Sequence, residues 1–61
     1  MSIRKFRERK GWRQEDLAKK IGVDQGAVSK WECGVTTPYE KHAKKMARMF
    51  GCTVDELLKE E

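Results

Sequence analysis

The chain is short of the residues on which most small-protein chemistry depends. It has two cysteines, Cys33 and Cys52, with no Cys-x-x-Cys pair, and one histidine, His42. That spacing argues against a zinc site, and no metal or cofactor is expected. No Ser/His/Asp or Cys/His constellation can be assembled, and 61 residues leave no room for a cleft beside a core. An enzyme is therefore not expected. Nothing resembles a signal peptide, and no apolar run is long enough to span a bilayer. The expectation is a cytoplasmic protein (nucleoid-associated if bacterial or phage) with two reduced thiols rather than a disulfide. No alternating run of β-branched residues appears, which argues against a sheet. There is no repeat, low-complexity tract or linker. Residues 1–61 read as a single domain, with the last three as a loose tail. A chain of this length buries only about 60% of the surface its unfolded form exposes, so packing must be economical or the chain must pair.

Charge is present in quantity and unevenly spread. Residues 1–50 carry 13 basic and 6 acidic side chains, whereas residues 51–61 carry one lysine and four acids. A basic body with an acidic end suits a polyanion approached from one side. Charge alone fits a merely solvated surface equally well.

The glycines are regularly placed. Gly11, Gly22, Gly34 and Gly51 each follow a stretch of helical spacing, where a left-handed residue ends a helix. Start signals lie between them. Asp24 can cap a helix. Thr37-Pro38-Tyr39-Glu40 reads as a capping box with proline at the first helical position, and Thr53-Val54-Asp55-Glu56 as a second box. Five helices are expected, over residues 2–10, 14–21, 25–33, 38–50 and 54–59.

A rotation of about 100° per residue sorts their faces. Inward positions are Ile3 and Phe6, then Leu17, Ala18 and Ile21, then Tyr39, Ala43, Met46, Ala47 and Phe50, then Val54, Leu57 and Leu58. Arg7 shares the inward side of the first helix, and Gln14 that of the second. Lys41, Lys44, Lys45 and Arg48 face out, as a solvated face. On the third helix Ala27, Val28 and Trp31 form the buried stripe. Gln25, Gly26, Ser29, Lys30 and Cys33 form the opposite face, which has no carboxylate although the chain carries ten. Glu32 falls at the border, where it can pair with the inward-leaning Arg7; an isolated charge there would be costly.

Helices 14–21 and 25–33, joined by Gly22-Val23-Asp24, have helix-turn-helix spacing. With "QEDLAKKIGVDQGAVSKWECG" complete, the chain resembles the phage repressor/Cro-type helix-turn-helix family (the XRE family) from Ile3 to about Leu58. "IRKFRERKGWRQEDLA" is similar to the family's opening helix and turn, and "MARMFGCTVDELL" to its last two helices. The resemblance implies an all-α fold, a compact five-helix bundle of the lambda-repressor-like DNA-binding kind. It implies sequence-specific transcription regulation by a symmetric dimer. Carried over, it makes Gln14 a phosphate contact and puts Gln25, Gly26, Ser29 and Lys30 against base edges. It makes Arg7 and Glu32 a buried ion pair. Cys33, Val35, Thr36 and Thr37 would lie near phosphates of the same half-site.

Two positions depart from the family. Arg13 stands where Ser or Thr usually caps the second helix, a loss of about 1 kcal/mol. A cation is mildly unfavourable at that helix end unless a phosphate lies beside it, which suits Arg13 to a phosphate contact. Gly26 stands where a base-reaching side chain is usual, at a cost of roughly 1 kcal/mol against alanine inside a helix. Either Gly26 lets the helix backbone come close to DNA, or glycine is simply tolerated in a first turn.

The expected function is binding of double-stranded DNA by insertion of helix 25–33 into the major groove. Gln25 would read adenine, Lys30 guanine, and Ser29 either. One helix reads few base pairs, so a homodimer on a palindromic operator is expected, acting as a repressor by occupancy. Leu57, Leu58 and the loop after Gly34 are candidates for its pairing surface. The alternative is a protein-interaction module on the same fold, such as an antitoxin or a regulator's partner subunit, docking through the acidic segment 55–61. Trp12 and Trp31 are expected in the core rather than on bases. His42 is expected to be structural, and Cys33 to be an inert thiol rather than a redox switch.

Overall fold

Helical spacing and glycine punctuation translate directly into the backbone. The computed structural model describes residues 1–59. Glu60 and Glu61, which belong to the expected tail and to the acidic docking segment, lie outside the described residues. The described residues form five helices and no strand: α1 (Ile3–Arg9), α2 (Gln14–Ile21), α3 (Gln25–Glu32), α4 (Glu40–Phe50) and α5 (Val54–Leu58).

The α2–α3 turn is built on Gly22, whose φ of 89° is left-handed and whose N–H donates to the Ala18 carbonyl at 2.8 Å. The Val23 N–H donates to the same carbonyl at 3.0 Å, which folds the chain back toward Asp24. Asp24 occupies the cap position of α3, but its carboxylate makes no capping hydrogen bond; its backbone carbonyl accepts from the Ala27 N–H instead. The Thr53–Glu56 box does form, with both reciprocal bonds at 3.0 Å.

The other expected box does not. Pro38 is buried, Tyr39 is extended (φ −58°, ψ 154°), and α4 begins only at Glu40 with no side-chain cap. The buried ring anchors the chain in an extended approach, and the helix starts two residues later than its sequence signals imply. Tyr39, expected in the core, is consequently 76% exposed.

Ile3, Leu17, Val28, Met46 and Leu57 are the fully buried centre, with Ala18, Ile21, Trp31, Ala43 and Ala47 also buried around it. Each large aliphatic side chain so placed contributes about 1.5–3 kcal/mol. Leu57 is 0% exposed, so it is a core residue and not a pairing surface. Ser2 ties the chain start to α5: its N–H donates to the Leu57 carbonyl (2.9 Å) and its hydroxyl to the Lys59 carbonyl (3.1 Å). Phe6, Trp12 and Phe50 form a half-buried ring cluster, with Phe50 5.7 Å from each of the others. Arg9 and Lys20 cover Phe6 and Trp12 at 5.4 and 4.8 Å. No described helix is long and apolar enough to cross a membrane, and no described group of three or more His, Cys, Asp or Glu could hold a metal ion.

Candidate nucleic-acid interface

The fold holds α3 by one side. Val28 and Trp31 are buried against the core, Ala27 is half-buried, and the opposite face emerges. Gln25, Gly26 and Lys30 are exposed there, with Ser29 half-buried between them and Cys33 exposed at the end of the helix. The Ser29 hydroxyl and the Lys30 ammonium have no side-chain partner among the described residues. Glu32, the one carboxylate within α3, turns the other way, with its side chain only 4% exposed.

Beneath this face lies a chain of polar contacts. Arg7 Nε lies 2.7 Å from Glu32 Oε2 and Arg7 Nη2 3.2 Å from Glu32 Oε1, while Arg7 Nη1 donates to the Trp12 carbonyl at 2.7 Å. The hydrogen-bonded Glu32 carboxylate raises the Arg7 pKa above its ordinary value, against the opposing effect of burial. Gln14 Nε2 donates to Glu32 Oε1 at 3.1 Å, and Gln25 Nε2 donates to Gln14 Oε1 at 3.2 Å. Each of these amide nitrogens carries two hydrogens, and one on each is left over. Gln25 therefore keeps a free N–H and a free carbonyl oxygen. Gln14 keeps one free N–H.

At the start of α2, Arg13 is exposed and its guanidinium reaches Glu15 at 3.5 Å. Its side chain has no acceptor with which to cap the helix. Asp16 supplies half of that function by accepting the Arg13 backbone N–H at 2.9 Å, and with Glu15 it puts two acids in the first turn, where they suit the helix dipole.

Past α3, Gly34 is left-handed (φ 76°) and lets the Val35 N–H donate back to the Lys30 carbonyl at 2.9 Å. This brings exposed Val35, Thr36 and Thr37 round beside the helix. A groove of about 490 Å³ results, lined by Gly26, Ala27 and Lys30 of α3 together with Thr36, Thr37, Tyr39 and His42, with Trp31, Val23 and Asp24 completing the lining. The sequence reading missed Tyr39 and His42 here, and no local signal could have found Tyr39, since Thr37 and Pro38 read as a helix start that would turn it inward. Cys33 and Cys52 are both free thiols. Burial, with the Glu56 carboxylate adding to it, pushes the Cys52 pKa up.

Gly26 is not required by the fold. Its φ lies outside the left-handed range, and a Cβ built there would meet nothing within 4 Å.

Comparison with known proteins agrees with this geometry. The helix-turn-helix family model (HTH_3) matches residues 3–57. The chain is similar to an uncharacterized HTH-type transcriptional regulator of Archaeoglobus fulgidus, at 40% identity over 90% of this chain and 79% of the relative. It is also similar to the HTH-type transcriptional activator BcrR of Enterococcus faecalis, at 37% identity over 97% of this chain and 29% of the relative. The multiprotein-bridging factor 1 of Schizosaccharomyces pombe matches at 36% identity over 82% of this chain and 34% of the relative. The chain thus spans about a third of the length of the latter two. No solved structure matches it significantly. With the family model covering nearly its whole length, the chain belongs to the XRE-type helix-turn-helix family of transcription regulators.

Proposed function

We propose that this chain binds double-stranded DNA sequence-specifically by laying α3 in the major groove, and regulates transcription from the site it occupies. One observation carries the reading. The outer face of α3 presents Gln25, Ser29 and Lys30 with unused donors and acceptors, while the one acid of the helix is folded inward onto Arg7. The free N–H and carbonyl of Gln25 are the pair an amide needs for adenine N7 and N6, and Lys30 can donate to guanine O6 or N7. Ser29 serves either. Gly26 lets the helix backbone approach the bases. Arg13, the free N–H of Gln14, the Cys33 thiol, Thr36 and Thr37 take the phosphates alongside; Val35, whose N–H is bonded to the Lys30 carbonyl, lies beside them without a donor to give.

A homodimer on a palindrome, with half-sites one turn (about 34–36 Å) apart, supplies the specificity that one short helix lacks. With Leu57 in the core, Leu58 and the exposed Val35 are the remaining pairing candidates. Repression by occupancy of an operator is the mode we assign, in the cytoplasm and without a cofactor or catalytic role. Selecting bound oligonucleotides from a random duplex pool at stated salt tests all of this together. A palindromic consensus with a spacing of 10–10.5 bp is expected. Recovery of no consensus, with retention depending on salt alone, contradicts it.

A second reading has one observation in its favour: a relative is named as a multiprotein-bridging factor. On this reading the fold is a protein-interaction module, with exposed Asp55 and Glu56 on its docking surface. Co-purification of an unrelated protein at fixed stoichiometry, with no salt-sensitive DNA retention, distinguishes it.

A further inference from the structure

Two side chains of opposite charge line the groove beside α3 and pair with nothing. Asp24, at the cap position, makes no capping bond and no ion pair, and the Lys30 ammonium has no partner among the described residues. Both residues are exposed. The hydroxyls of Thr36, Thr37 and Tyr39 line the same groove of about 490 Å³ and are also unbonded among the described residues. His42 belongs to its wall, and His42 Nδ1 is buried with no hydrogen-bond partner. The His42 ring lies 6.0 Å from Tyr39 and 6.0 Å from Trp31, so packing holds this aromatic wall in place.

The volume is that of a small-molecule site, about 300–1,000 Å³, and the lining defines the chemistry of its ligand. A cation suits Asp24 and an anion suits Lys30, so a molecule that satisfies both is a zwitterion. Asp24 and Lys30 are six residues apart, which along a helix is about 9 Å. A free amino acid carries both charged groups on one carbon and is too short to reach both. An extended peptide covers about 3.3–3.6 Å per residue, so two or three residues span the distance. The hydroxyls suit the peptide N–H and C=O groups in between, and the Tyr39 ring suits an apolar side chain.

We propose that the groove binds a peptide of two or three residues, with its free ammonium on Asp24, its free carboxylate on Lys30 and an apolar side chain against the Tyr39 ring. Peptide binding and DNA reading then exclude one another, because Lys30 is the residue assigned to guanine and Thr36 and Thr37 are assigned to phosphates. The exclusion rests on the reading of α3 as the DNA-reading helix; occupancy of the groove does not. A short peptide thereby acts as a signal that releases the chain from its site on DNA.

The test titrates the tripeptides alanyl-phenylalanyl-alanine and alanyl-leucyl-alanine into the isotope-labelled chain and follows its amide NMR spectrum. Their N-acetylated and C-amidated forms and free phenylalanine are run beside them. Saturable shifts at Asp24, Ala27, Lys30, Thr37 and the Trp31 indole are expected, with a Kd of about 1 mM. Capping either end weakens binding about three- to fivefold, as for an exposed ion pair. Free phenylalanine binds no better than the capped forms. Asp24→Asn erases the preference for a free ammonium and Lys30→Met that for a free carboxylate, each leaving the other preference in place. Neither side chain bonds within the fold, so both variants fold, which far-UV circular dichroism confirms. A second measurement adds peptide to the chain bound on a duplex selected with the wild type, and release near the peptide Kd is expected. No saturable shift with either peptide up to about 20 mM, equal binding of free and doubly capped forms, or shifts centred away from the groove overturn the proposal. Peptide binding that leaves the duplex bound overturns the exclusion. If the wild type selects a duplex while no peptide binds, this proposal alone falls. If peptides bind and no duplex is selected, the reading of α3 falls and the groove assignment stands.

Discussion

The side-chain amide of Gln25 donates to the side-chain oxygen of Gln14 across 3.2 Å, bridging the start of α3 and the first turn of α2. Gln14 in turn holds Glu32, and Glu32 holds Arg7. An exposed side chain of the proposed reading face is thus anchored through two residues to a nearly buried ion pair. Fixing its rotamer before DNA arrives reduces the entropy that binding must cost.

Gln14→Ala separates this anchoring from stability. Glu32 keeps both bonds to Arg7, so the loss of stability should stay near 1 kcal/mol. Binding to the selected duplex should fall about tenfold on all sequences, since the proposed phosphate donor is gone. Discrimination at the base pair read by Gln25 should weaken further. Urea titrations paired with binding to single-base variants check both parts.

Glu32→Ala should be far more damaging. It leaves the Arg7 guanidinium at the core edge with only the Trp12 carbonyl, and breaking a buried pair costs about 3–5 kcal/mol. A domain of this size has roughly 3–9 kcal/mol in total, so thermal melts should show a largely unfolded chain at moderate temperature. Replacing both partners, as in Arg7→Met with Glu32→Leu, should recover much of the loss. Equal melting of the single and double variants would contradict the role given to the pair.

Gly26→Ala should act in opposite directions on fold and binding. A Cβ there meets nothing within 4 Å and the backbone is not left-handed, so the helix should gain up to about 1 kcal/mol, which in so small a domain raises Tm by about 4–8 °C. Affinity for the selected duplex should drop at the same time. A stabilised variant with unchanged affinity would mean that glycine is merely tolerated in this first turn.

The two thiols should differ in reactivity. Cys33 is exposed, whereas Cys52 is partly covered and its pKa is raised by burial and by Glu56. A raised pKa lowers the thiolate fraction near neutral pH. Labelling with a disulfide reagent in the native state should therefore modify Cys33 first, with Cys52 catching up as the pH climbs past the ordinary thiol range. The same shift means that Cys52 lowers stability only at alkaline pH, the loss building between its unfolded and folded pKa values and persisting above them. Cleavage mapping of singly labelled protein identifies the faster site.

What could be read from the sequence was what local chemistry decides. The glycines that end α2 and α4 carry their conformational requirement with them, and the Thr53 box sits within four residues. The approach of Arg7 to Glu32 follows from two opposite charges placed at one core edge. The start of α4 was misread because burial of Pro38 is a tertiary event that overrides a local signal, and the exposure of Tyr39 follows from it. The Gln25–Gln14 bond joins residues eleven positions apart and depends on how α2 and α3 cross. The groove beside Tyr39 depends on how the loop after Gly34 folds back. Neither has a signature in residue order.

Lys30→Ala, assayed on the selected duplex and on every single-base variant of it, tests the central assignment most directly. If α3 reads bases, affinity falls by about 1–3 kcal/mol and discrimination flattens at one base pair in each half-site, leaving the other positions ranked as before. An equal loss on every duplex, or none, would mean that this face of α3 does not read sequence.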